Sequence, residues 1–171
     1  MYVNLFLPFL YIELWLILKF NFYKAIIKCT KMAVNNIIVT ITTPQIEWTF
    51  ENVLSCSAQG VKGGFQILSN HASLLNQLEI GLIKLETGGI EHLFATSGGF
   101  LEVHDNRVSI LVETCEKASE IDVARAEQSA ERARHRLKDR PDDLDVIRAE
   151  LSLQRALNRI RIAHKLEVTT Q

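Results

Sequence analysis

The chain has 171 residues, 47% of them hydrophobic and 23% charged, with a formal net charge of −1. That length suits one domain, or one domain with a small appendage, of ordinary globular composition. So even a charge balance excludes the global basic field that recruits nucleic acid, and no nucleic-acid partner is expected.

Three cysteines, Cys29, Cys56 and Cys115, are odd in number and lack metal-type spacing. They read by default as buried thiols in a reducing compartment. The other residue types are unevenly spread. All eight glycines fall between Gly60 and Gly99, and nine of the ten arginines lie from Arg125 onward. The chain changes character near residue 116, from glycine-punctuated strands to glycine-free helix.

Residues 1–31 match nothing that follows. A membrane span needs about 20 apolar residues, but Glu13, Lys19, Lys24 and Pro8 interrupt this stretch, and it has neither a basic start nor a small-residue cleavage site. Its Phe, Leu, Ile, Tyr, Asn and Lys are the residues of A/T-rich codons. It is expected to be a spurious or disordered extension, with the true start at Met32 and no direct membrane span. It holds four lysines and one glutamate, so a chain from Met32 carries a net charge of −4 instead of −1. A real anchor or amphipathic tail is the alternative.

Residues 34–115 are expected to form an antiparallel β-sandwich or barrel. "NIIVTITT" (36–43) is β-branched and stops at Pro44. Ile80, Leu82 and Lys84 alternate with Gly81, Ile83 and Leu85. Gly88-Gly89 is a two-residue hairpin signal, and Gly98-Gly99 and Asp105-Asn106 mark two more turns. His71, His92 and His104 fit no metal motif, and a single His71 near Ser69 and Ser73 is no catalytic triad. "GVKGG" is followed by no GK[ST], so it is not a phosphate loop.

Residues 116–171 are expected to form an antiparallel helical hairpin. Ser119 or Glu120 opens the first helix. Val123, Ala126, Ala130, Ala133 and Leu137 make one stripe, and Ala149, Leu153, Ala156, Ile160 and Ala163 make another. Pro141 separates them, with Asp142 or Asp143 as the second cap. Alanine buries little area, so the packing stabilises modestly, and the hairpin is expected to open or dock elsewhere.

Arg125 and Arg132 are seven apart and share a face, as do Arg155 and Arg159, four apart on the second helix. Antiparallel packing would converge these guanidiniums on Asp122 and Glu116. Arginine's planar fork suits phosphate oxygens, whereas the bland reading leaves the arginines solvated or paired with nearby acids.

The strings "SGGFLEV" (97–103), "ILSNHASLL" (67–75), "IDVARAEQSAERARHRL" (121–137) and "AELSLQRALNRI" (149–160) resemble the epsilon subunit of F-type ATP synthases, in order over about residues 36–165. The resemblance implies a β-sandwich followed by a C-terminal α-helical hairpin in a non-catalytic subunit. The sandwich would sit on the gamma subunit at the foot of the central stalk, against the c-ring, and help couple proton flow to rotation. The hairpin would be a regulatory arm: folded, it permits activity; extended towards the catalytic head subunits, it obstructs ATP hydrolysis. The place implied is the cytoplasmic face of the bacterial cell membrane, as a peripheral component.

In some bacterial members the folded arm binds ATP through I/L-D-x-x-R-A. Here that motif is Ile121, Asp122, Arg125 and Ala126, with further matching positions at Glu116, Arg132, Arg155 and Arg159. The resemblance thus implies Asp122 and Arg125 on the adenosine side with the Ile121 and Ala126 backbone, and Arg132, Arg155 and Arg159 on the phosphates. ATP would be a regulatory ligand, with no cofactor, catalytic residue or metal required. Ser69 and His71 are carried over as subunit-interface residues. Where the family usually shows G-I-L-P-x-H-x-P, this chain reads "QILSNHAS" (66–73), so a glycine and two prolines are missing and a looser loop is expected. A free-standing ATP-sensing hairpin without a rotary partner is the competing function. It predicts a fully polar sandwich surface.

Overall fold

The computed structural model describes residues 36–141 and 144–169. The expectations for residues 1–31 and a start at Met32, and for Cys29, Asp142 and Asp143, lie outside the described residues.

Among the described residues nine strands come first: β1 (Ile37–Thr42), β2 (Glu47–Val53), β3 (Ser55–Gly60), β4 (Gly63–Leu68), β5 (Leu74–Thr87), β6 (Ile90–Thr96), β7 (Gly99–His104), β8 (Arg107–Val112) and β9 (Cys115–Lys117). A 3₁₀ turn (Ala118–Glu120) leads into helices α1 (Val123–Asp139) and α2 (Val146–Thr169). β9 carries sheet pairing on through Lys117 opposite Phe94, which places Glu116 on the sandwich.

The strands run in the order β2-β1-β8-β7-β5-β3-β4, with β6 and then β9 on the other side of β5. Each pairing is antiparallel except β1 with β8, which is parallel. The 14-residue β5 belongs to both layers: Leu74–Leu78 pair with β7, and Gly81–Thr87 pair with β6. Its inward side changes phase on the way, from Leu78 to Ile83 and Leu85. Such a slip flips which residues face the core.

Alternation fills the interior. Ile37, Val39 and Ile41 of β1, Leu101 and Val103 of β7, and Val108, Ile110 and Val112 of β8 point inward around Phe94. Phe50 and Trp48 pack edge-on and tilted against Phe94, with centroids 5.6 and 6.0 Å apart.

The expected turns divide into two kinds. Gly88-Gly89 and Asp105-Asn106 take positive φ and close hairpins β5–β6 and β7–β8. Gly98-Gly99 is no hairpin, because β6 and β7 pair with β5 instead of each other. It is the corner where the chain changes layers. Gly99 sits at φ 153°, and a Cβ there would collide with the Leu111 carbonyl.

The first helix starts later than expected. The 3₁₀ turn occupies Ala118–Glu120, and Asp122 is the N-cap of α1, its Oδ1 accepting from Arg125 N–H at 2.9 Å. The second cap is Asp145, whose Oδ1 accepts from Arg148 N–H at 3.0 Å. Asp and Ser side chains compete for the same cap, and the one with a free backbone N–H three residues on wins. Ala126, Ala130 and Ala133 of α1 and Ala149, Ala156 and Ala163 of α2 are buried, as their stripes predict.

Candidate functional site

The I-D-x-x-R-A stretch has local structural work in each of its named residues. Ile121 packs against a small cluster of Leu93, Ala95, Ala118 and Ile162, together with Leu82 and Leu166. Asp122 caps α1 with its side chain, and its carbonyl accepts from Ala126 N–H at 3.0 Å. Arg125 supplies the capped N–H, and Ala126 is buried in the helix–helix stripe.

Glu116 on β9 and Arg159 on α2 form an ion pair, Nε to Oε2 at 3.0 Å, with both side chains half-buried. Arg155, one turn earlier and half-buried, lines a crevice of about 10 Å³ with Thr96, Ser97, Thr114, Asn158 and Arg159. That volume is at the lower edge of what holds one water and too small for a phosphate group. Among the described residues the Arg155 guanidinium makes no hydrogen bond or ion pair. The same holds for Arg125 and Arg132, both exposed on α1. The structure thus brings Glu116, Arg155 and Arg159 together at the sandwich. No side-chain hydrogen bond or ion pair among the described residues joins Arg125 or Arg132 to that group.

Ser69 and His71 lie in the β4–β5 loop, both half-buried. His71 Nδ1 is 2.8 Å from the Ala72 carbonyl oxygen. The loop has a tether that its missing prolines did not suggest. Asn70 takes φ 59°, its N–H donates to Asn106 Oδ1 at 2.6 Å, and Asn106 Nδ2 donates back to Asn70 Oδ1 at 3.3 Å. The expectation of looseness overlooked this cross-loop pair. Asn in the left-handed region is the residue type that suits it.

The two described thiols, Cys56 and Cys115, offer no nucleophile. Burial pushes Cys56 up to about 12, and burial with the neighbouring Glu116 charge pushes Cys115 up to about 12, so both stay protonated near neutral pH. Among the described residues no helix is long and apolar enough to cross a membrane.

One functional contact was missed at the level of sequence. Asn158, buried on α2, donates from Nδ2 to the Gly81 carbonyl at 2.9 Å and ties the arm to the sandwich. Its signal was the second stripe of α2, Asn158, Ile162 and Leu166, four residues apart on a face other than the alanine face.

Residues 36–118 match the ATP synthase delta/epsilon chain beta-sandwich domain, and residues 119–164 match the long alpha-helix domain of the same chains. The chain belongs to the epsilon family of ATP synthase subunits. Members of this family are non-catalytic stalk subunits, so this chain carries out no catalysis of its own. The ATP synthase epsilon chain of Pelotomaculum thermopropionicum is 44% identical over 97 residues, covering 57% of this chain and 72% of the relative. That of Syntrophomonas wolfei is 39% identical over 113 residues, covering 66% and 82%. Among solved structures, a chain of the Euglena gracilis mitochondrial ATP synthase (OSCP/F1/c-ring) superposes with a TM-score of 0.63 at 26% identity, covering 80% of this chain and 82% of that one. The family's division between sandwich and helices falls at the 3₁₀ turn.

Proposed function

We propose that the chain works in the central stalk of a proton-translocating F-type ATP synthase. In this reading its sandwich is seated on gamma and faces the c-ring, at the cytoplasmic face of the cell membrane. Its sandwich surface supports a partner over a free-standing module. Phe100 and Leu111 are register partners on β7 and β8, 52% and 57% exposed, and Leu75 of the neighbouring β5 is 71% exposed. A module working alone would be expected to keep this face polar.

The helical pair is, in this reading, an ATP-responsive arm. Folded on the sandwich it permits activity; extended towards the catalytic head it obstructs hydrolysis. The observation that carries the ATP part is Arg155, a half-buried guanidinium one turn from Arg159 that makes no ion pair among the described residues. A partly buried guanidinium gains from an anionic partner, and a polyphosphate lying against its exposed side, outside the narrow crevice, would supply one. ATP then selects the folded arm by its difference in affinity for the two states.

Calorimetric titration of ATP into the chain and into Arg125→Ala tests this. Binding tighter than about millimolar, weakened about tenfold (~1.4 kcal/mol) by the substitution, is the expected result. No heat at millimolar ATP would leave the motif with its capping role alone. Co-purification with gamma tests the stalk placement; a chain isolated by itself would overturn it.

A further inference from the structure

Asn158 is 6% exposed, and both ends of its amide are used. Nδ2 donates to the Gly81 carbonyl, 77 residues away, at 2.9 Å, and Oδ1 accepts from Arg161 Nη2 at 2.9 Å. A carbonyl on one side and a guanidinium on the other permit a single amide orientation. The contact therefore has direction as well as strength.

Its partner is equally specific. Gly81 sits in the part of β5 that lies between two registers with β3, Leu78 opposite Gly60 and Ile83 opposite Ala58. It is buried, and a Cβ there would come 2.7 Å from the Gln59 Cβ. The irregular stretch thus offers its backbone where α2 crosses it.

Neighbours of Asn158 on α2 reach three different targets. Ile162, one turn on, is buried with Leu93, Ala95 and Ala118. Arg159 meets Glu116, and Arg155 faces Thr96, Ser97 and Thr114. We infer that Asn158 is a positioning residue: by hanging α2 on the Gly81 carbonyl, it fixes where Arg155 and Arg159 stand on the sandwich. The docking role stands on the contacts just given; only its consequence for nucleotide rests on the ATP reading proposed above.

Two variants of the full chain test it by hydrogen exchange with mass spectrometry. Asn158→Ala removes the amide. Asn158→Asp keeps the shape and the acceptor for Arg161 but, ionised, has no proton to offer Gly81. In both, the amides of residues 155–166 and 79–83 are expected to exchange about tenfold faster, while β1 and β8 keep their protection. ATP affinity is expected to fall about tenfold in the same variants. Arg125→Ala is expected to bind ATP about tenfold more weakly without faster exchange. Wild-type exchange in both Asn158 variants overturns the inference, as does faster exchange spread evenly through β1 and β8. If the unaltered chain takes no ATP, the nucleotide reading fails while the exchange data still decide the docking.

Discussion

Glu116 on the last strand and Arg159 on the last helix meet at 3.0 Å across 43 residues of sequence, joining the sandwich to its arm by charge. Glu116 keeps 41% of its side chain exposed, so solvent screens the pair. Glu116→Gln is expected to cost less than about 1 kcal/mol. Thermal melts should show a drop of about 2–4 °C at most. The drop should shrink in about 1 M salt, where the screening length falls to about 3 Å. An equal drop at both salt concentrations would mean that the pair acts through packing.

Asp122 carries two separable duties if the ATP reading holds. Asp122→Ala removes the cap of α1 and is expected to cost about 1 kcal/mol, measured by urea unfolding followed by circular dichroism. Asp122→Asn keeps a capping oxygen, so its stability should stay near that of the unaltered chain while any role of the negative charge in ATP binding is lost. Stability loss in Asp122→Asn as large as in Asp122→Ala would assign the charge itself to the cap.

Arg140 closes α1 in the left-handed conformation, φ 41°, ψ 61°, its N–H bonded to the Arg136 carbonyl at 3.1 Å. A side chain held there costs roughly 1–2 kcal/mol that glycine avoids, against about 0.5–1 kcal/mol of extra unfolded-state entropy for glycine. Arg140→Gly is therefore expected to stabilise by up to about 1 kcal/mol, seen as a higher melting temperature.

Cys56 and Cys115 both rise from 9.0 to about 12 in the folded chain. The unfolded thiols lose their protons first, so the folded state binds more protons between these values. The thiols' contribution to stability is fully present below pH 9 and is lost as pH climbs from about 9 towards about 12, by up to about 1.4 kcal/mol per pH unit for each thiol. Cys56→Ala with Cys115→Ala should flatten that alkaline slope in urea unfolding. Alkylation of Cys56 and Cys115 at pH 8, followed by mass spectrometry of their peptides, should be slow in the folded chain and fast in urea.

Local signals were legible and distant ones were not. Ile37, Val39 and Ile41 announce a half-buried strand by alternation, and Ala126, Ala130 and Ala133 announce a helix face by their spacing. Nothing in either neighbourhood states that β1 lies parallel to β8, since strand partners are chosen by packing across the molecule. Gly98-Gly99 shows why a turn signal stops short of topology: the residues permit a sharp bend, and the partners on each side decide whether it becomes a hairpin or a corner. The candidate site divides in the same way. Asp122, Arg125 and the arginine pairs are local patterns, whereas Asn158 acquires its role from Gly81, which its own neighbours in sequence do not mention.

β5 runs unbroken from Gln77, which pairs with exposed Phe100, to Gly81, which receives Asn158. They are four positions apart, at most about 13 Å for extended backbone. The apolar outer face and the arm's mooring thus share one strand, β5, which pairs with Phe100 at one point and receives Asn158 at another.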